Sequence, residues 1–66
     1  MNIKVSYFVY EKRIQKNMSA RQLAMLSGVS HTEINNIESG KKHPSVVTLC
    51  MIAVALKADP SSLFFI

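Results

Sequence analysis

Residues 20–39 read ARQLAMLSGVSHTEINNIES, and this stretch decides the fold predicted for the chain. The pattern predicts two short helices joined by a tight turn at Gly28, where a side chain would obstruct the backbone. Small Ala24 stands where the helices would cross, so their backbones can approach closely. The apolar wedge that would hold them at a steep angle consists of Leu23, Val29, Ile34 and Ile37. This spacing is that of a helix-turn-helix.

Helix-start signals divide the rest of the chain in the same way. Residues favoured at helix N-caps stand at Ser19, Ser30, Ser45 and Asp59. The first two begin capping boxes, completed three residues later by Gln22 and Glu33. These signals, with glycines after two of the runs, predict helices over residues 5–16, 20–27, 31–39, 46–56 and 60–65. We therefore expect an all-α fold, a compact five-helix domain over residues 1–66 in which helices 2 and 3 form the helix-turn-helix.

The first six residues admit two interpretations. Ile3, Val5 and Tyr7 alternate with polar neighbours, which is typical of a β-strand. A lone strand would need a partner strand to persist. Residues 1–6 are therefore either extended or, from residue 5 onward, part of helix 1.

Composition excludes several classes of protein. A chain of 66 residues with one cysteine is a single small domain without an intrachain disulfide. It shows no nucleophile–base arrangement and no phosphate-binding glycine loop, so we expect no enzyme activity and no small-molecule ligand. The two histidines and Cys50 lack zinc spacing, so we expect neither metal nor cofactor. Without a membrane-spanning run or a signal peptide, the expected location is cytoplasmic.

The charge balance points to an anionic partner. Eight Lys and Arg face four Asp and Glu, which gives a net charge of +4 at pH 7. A small basic domain suits nucleic acid, and less often a membrane surface. On helix 31–39 the polar side chains fan away from the apolar ones, and they are His31, Thr32, Asn35, Asn36 and Ser39. Groups that donate and accept hydrogen bonds suit base edges in a DNA major groove.

These features resemble the Xre/Cro-type helix-turn-helix family, which includes phage repressors and restriction–modification controller proteins. The resemblance covers roughly residues 9–65, and its most specific run extends from Gly28 to Ser45. It implies a repressor-like five-helix domain that binds operator DNA, usually as a symmetric dimer. Three positions depart from the family pattern. Ala20 stands where Gln is common, Gln22 stands where Glu is common, and Lys57 stands where Gly is common.

The resemblance also implies roles for single residues. The base contacts would come from His31, Thr32 and Asn36, with Asn35 as a further candidate. The backbone contacts would come from Arg21, Ser39, Lys41, Lys42 and His43. Arg13 and Glu38 match a structural ion pair that joins helix 1 to the end of the recognition helix. The prediction is a transcriptional regulator that binds a palindromic operator in double-stranded DNA as a homodimer, with helix 31–39 in the major groove.

Apolar residues exceed what this core requires. Hydrophobic residues make up 48% of the chain and charged residues only 18%. We expect Cys50 to be buried or half buried as a small apolar residue. The predicted dimer interface consists of Val47, Met51, Val54, Phe65 and Ile66. The alternative is a protein–protein interaction module, an antitoxin-like adaptor, that uses the same surface. Salt distinguishes the two, because it weakens DNA binding steeply but spares an apolar interface.

Overall fold

The computed structural model describes residues 5–66, and α-helices provide most of their regular structure. The four α-helices are α1 (Val9–Gln15), α2 (Ala20–Ser27), α3 (His31–Glu38) and α4 (Val46–Leu56). A 3₁₀ helix, Pro60–Leu63, follows α4. Two short strands flank the helices, β1 (Ser6–Tyr7) before α1 and β2 (Phe64–Phe65) after the 3₁₀ helix. No helix within residues 5–66 is long and apolar enough to cross a membrane.

Local capping explains where α2 and α3 begin. The Ser19 hydroxyl accepts the Gln22 N–H at 3.0 Å, and the Gln22 side chain accepts the Ser19 N–H at 2.8 Å, so this capping box is complete. At α3 the Ser30 hydroxyl accepts the Glu33 N–H at 3.1 Å. The Glu33 carboxylate does not complete the second predicted box; it lies 3.4 Å from the Lys42 ammonium instead. Both helices still start at the residues the sequence predicts.

The turn between α2 and α3 favours glycine. Gly28 ends α2 in the left-handed region at φ 77°, and its N–H donates to the Ala24 carbonyl. Most residues avoid this conformation because their β-carbon clashes with the backbone. The turn is tightened by the buried Ser27 hydroxyl, which accepts the Val29 N–H at 3.1 Å. This turn sets the angle at which α3 leaves α2.

One core unites all the helices. Its largest fully buried side chains are Val9, Leu23, Ile34, Ile52, Leu56 and Leu63. Every helix contributes at least one of them, and α4 also keeps apolar side chains on its outer face. The core thus holds α3 rigidly by its apolar side and leaves its other side outside.

Two predicted helices are corrected by the structure. Helix 1 begins at Val9 rather than residue 5, because Ser6 and Tyr7 pair antiparallel with Phe65 and Phe64. The expected fifth helix, 60–65, is only the 3₁₀ turn followed by β2, so there are four α-helices in the described residues. The partner strand that an extended N-terminus needs is thus the C-terminal one. Residues 1–4, to which part of the strand prediction applied, lie outside the described residues.

Candidate nucleic-acid interface

The exposed side of α3 carries the polar residues that the sequence singles out. Ile34 and Ile37 point into the core and are 0% and 2% exposed. His31, Thr32 and Asn35 lie on the exposed side, and Asn36 is half buried at its edge. None of these four side chains has a hydrogen bond within residues 5–66. The face therefore offers donors and acceptors that the fold itself does not use.

Asn36 also organises the loop that follows the helix. Its backbone carbonyl accepts the N–H groups of Lys41 at 2.9 Å and Lys42 at 3.2 Å. The Ser39 hydroxyl donates to the same carbonyl at 3.2 Å. The loop after α3 is thus folded back against the last turn of the helix, next to the polar face.

Three cationic side chains that the sequence singles out differ in their surroundings. Arg21 and Lys41 are exposed and form no ion pair within residues 5–66. Lys42 is paired with Glu33, and its side chain remains 53% exposed. Such a half-exposed pair is weak, about 0–1 kcal/mol, so an incoming anion could replace it.

His43 meets an aromatic partner from the start of the chain. Its Nδ1 lies 3.3 Å from the Tyr7 hydroxyl. The two rings meet edge to face, with centroids 5.5 Å apart. His43 itself stays exposed, so the contact orients the ring without burying it.

An ion pair between Arg13 and Glu38 ties α1 to the end of α3. Arg13 Nε donates to Glu38 Oε2 at 2.8 Å, and its second fork nitrogen donates to Oε1 at 3.1 Å. The remaining guanidinium nitrogen donates to the Met18 carbonyl at 2.9 Å, and the Tyr10 ring lies 5.1 Å from the guanidinium carbon. Hydrogen bonding to Glu38 raises the pKa of Arg13 above its ordinary value, against the effect of its burial. The pair fixes the orientation of α3 relative to α1.

The predicted dimer residues lie on the surface with further apolar neighbours. Val47 and Val54 on α4 are 69% and 78% exposed, and Phe65 and Ile66 are also mostly exposed. Met51 is only 39% exposed, because its methyl group packs over the turn at Gly28. Cys50 is exposed between the two valines, so the expectation that it is buried or half buried is wrong. No group of residues suited to hold a metal ion occurs within residues 5–66.

Three contacts in this region escape prediction from the sequence. They are the Glu33–Lys42 pair, the Tyr7–His43 pair and the packing of Met51 over Gly28. Each joins residues of different segments of the fold, so no helical or strand spacing predicts it. Val46 lies on the same outer face of α4 as Cys50 and Val54, and it is 78% exposed. Its helical spacing from Cys50 and Val54 could therefore have added it to the apolar surface predicted for α4.

Two helices meeting at a glycine turn, with the second presenting a polar outer face, define the helix-turn-helix class. The chain matches the helix-turn-helix family HTH_3 over residues 9–63. It belongs to that family, and its resemblance to the Xre/Cro type is confirmed.

Two relatives of this chain come from a bacteriophage and a bacterium. The chain is 32% identical over 56 residues to the ImmF control region 10 kDa protein of Bacillus phage phi105, covering 85% of this chain and 62% of that protein. It is 37% identical over 57 residues to an uncharacterized HTH-type transcriptional regulator of Mycobacterium tuberculosis, covering 86% of this chain and 41% of that protein. The chain therefore spans less than two thirds of either relative.

A solved structure shows the same fold. The restriction-modification controller protein C.AhdI from Aeromonas hydrophila matches with a TM-score of 0.78 at 32% identity. The match covers 80% of each chain.

Proposed function

We propose that this chain is a DNA-binding transcriptional regulator that places α3 in the major groove of double-stranded DNA. The observation that carries the proposal is the polar face of α3, whose hydrogen-bonding groups the fold leaves unused while Ile34 and Ile37 anchor the opposite side. In this proposal residues 1–66 act as one DNA-binding domain, with the helix-turn-helix at 20–39. Membership of the helix-turn-helix family supports the same role.

The proposed contacts divide into base edges and backbone. His31, Thr32, Asn35 and Asn36 would contact bases, because amide and imidazole groups match base-edge donors and acceptors. The proposed backbone contacts are Arg21, Ser39, Lys41, Lys42 and His43. Those contacts hold phosphates and set the position of α3, while the base contacts supply specificity.

A homodimer would bind a palindromic operator. The exposed apolar side chains of α4 continue to the C-terminus, since Val46 and Ile66 line one shallow pocket with Leu49 and Phe64. Burial of this surface against a second copy favours a two-fold dimer. Such a dimer would place two α3 helices about one DNA turn apart, ~34–36 Å.

Selection of bound DNA from a random-sequence library tests the function directly. We expect an enriched palindrome whose half-sites are centred about 10 base pairs, or a multiple of the helical repeat, apart. A library that shows no enrichment over its starting composition contradicts sequence-specific binding. A single enriched half-site would contradict the dimer while leaving the helix-turn-helix role intact.

The exposed apolar face favours a second candidate, an antitoxin-like adaptor that binds another protein. Val47 and Val54 would be the centre of such an interface. Binding of a partner through this face should persist as salt rises, whereas DNA binding should weaken steeply. Salt titration of each complex therefore separates the two functions.

A further inference from the structure

Tyr7 is held in place at the junction of the two chain ends. It pairs with Phe64 in the β1–β2 ladder, and the next residue, Phe8, donates its N–H to the Leu63 carbonyl at 2.7 Å. Its ring is half buried against the core. The Tyr7 hydroxyl is thereby presented at a defined place beside the loop that follows α3.

That hydroxyl meets the imidazole of His43 at Nδ1, 3.3 Å away. A phenol O–H that donates to Nδ1 leaves the proton of a neutral imidazole on Nε2. Nε2 has no hydrogen-bond partner within residues 5–66, and His43 is exposed. With the Tyr7 hydroxyl as the donor, the imidazole would present an N–H at Nε2 on the loop next to the polar face of α3. A phosphate oxygen accepts such a donor, in keeping with the proposed backbone contact of His43.

We propose that Tyr7 is a positioning residue for DNA binding, one that orients His43 and selects the protonated nitrogen with which His43 donates to a DNA phosphate. The proposal rests on the proposed function. It gives β1 a role besides closing the fold, because this strand brings the Tyr7 hydroxyl to the loop. Neither residue suggests the other in the sequence, since 36 positions separate them.

A double-mutant cycle on a random-sequence DNA duplex at low salt tests the inference. A phosphate contact is independent of base sequence, so no operator is needed. Tyr7→Phe keeps the ring and its packing but removes the hydroxyl, and we expect binding to weaken about 3- to 10-fold. In a His43→Ala background the same change should have no effect, because there is no imidazole left to orient. Tyr10→Phe is the matched control, since the Tyr10 hydroxyl has no hydrogen bond within residues 5–66 and only its ring faces Arg13.

A measurement on the free protein complements the binding data. The imidazole nitrogen chemical shifts of His43 should change in Tyr7→Phe, while those of His31, which has no such partner, stay constant. Unchanged His43 shifts would overturn the inference, as would equal weakening by Tyr7→Phe with and without His43. Wild-type protein that fails to bind duplex DNA, or binds it independently of salt, would instead overturn the proposed function and this inference with it.

Discussion

Arg13 and Glu38 carry the charges that the described fold most nearly removes from water. Their side chains are only 11% and 10% exposed, and the guanidinium fork contacts both carboxylate oxygens. Desolvation of the two charges offsets much of their attraction, so the pair contributes orientation more than stability. Its two partners lie 25 positions apart and join the first helix to the end of α3. The pair therefore adds to the orientation of α3 that the packing of Ile34 and Ile37 in the core already sets.

We expect Arg13→Met to lower the free energy of unfolding by about 3–5 kcal/mol, because Glu38 would remain buried without a partner. Arg13→Lys keeps the charge but not the fork, so its loss should be smaller. The double variant Arg13→Met/Glu38→Leu should be more stable than Arg13→Met alone. Urea unfolding measures all three, and a loss below about 1 kcal/mol for Arg13→Met would show that the pair behaves as an exposed one.

Helix α4 ends at Lys57, whose backbone conformation is unfavourable for a residue with a β-carbon. Lys57 adopts the left-handed region at φ 52° and ψ 42°, where the family commonly has glycine. The Ala58 N–H still reaches the Ala53 carbonyl at 2.9 Å, so the helix closes normally. Lysine in place of glycine thus adds backbone strain to this turn but does not change the turn itself.

Lys57→Gly should therefore stabilise the protein by about 1 kcal/mol, the cost of holding a β-carbon in this conformation. Lys57→Ala is the control, because it removes the same charge but retains the β-carbon. Thermal unfolding should show a higher midpoint for the glycine variant alone. Equal midpoints for both variants would place the effect in the charge and contradict the strain argument.

The bounds of α2 and α4 could be predicted from sequence, and the pairing of the two chain ends could not. The bounds of α2 and α4 match the prediction, because Ser19, Gly28 and Ser45 satisfy local hydrogen-bonding needs that their immediate neighbours reveal. The C-terminal 60–65 segment was predicted as a helix from its Asp59 cap, whose pKa the Ser61 N–H and hydroxyl lower. Only its first turn forms, because Phe64 and Phe65 pair with β1. Such pairing depends on a distant segment and has no local signal.

The same distinction holds for the candidate interface. Helical periodicity alone separates Ile34 and Ile37 from the polar face, so that face could be predicted. The partners of Lys42 and His43 could not be predicted. Glu33 and Tyr7 come close to them only because the loop after α3 folds back. For the same reason, the exposure of Cys50 follows from how α4 is rotated against the core rather than from its residue type.

In the whole molecule, the polar surface and the exposed apolar surface lie on different elements. The Lys41 N–H donates to the Asn36 carbonyl, so Lys41 lies beside the polar face of α3. The exposed apolar residues of α4 and the C-terminus include Val46, Val47, Val54, Phe65 and Ile66. Large exposed apolar patches are typical of interaction surfaces, which supports the proposed interface. In the proposed function, one molecule would bind DNA through α3 and a second copy through α4.

We expect the wild-type protein to sediment as a dimer and Val47→Glu to sediment as a monomer, because the interface would have to bury an unpaired carboxylate. Met25→Glu is the matched control, since Met25 is 79% exposed on α2, outside the proposed interface. It should remain dimeric. A wild type that stays monomeric at high micromolar concentration would contradict the proposed dimer.

In the proposed function, α3 reads base edges while the loop after it holds the DNA backbone. The most direct test compares the affinities of Asn36→Ala and Lys41→Ala for the selected operator and for random DNA over a salt series. We predict that Asn36→Ala loses about 1–3 kcal/mol on the operator, relaxes one base position and leaves random DNA binding unchanged. Lys41→Ala should weaken binding to both DNAs alike and lower the salt slope by about 1. Equal losses on operator and random DNA for Asn36→Ala would contradict the claim.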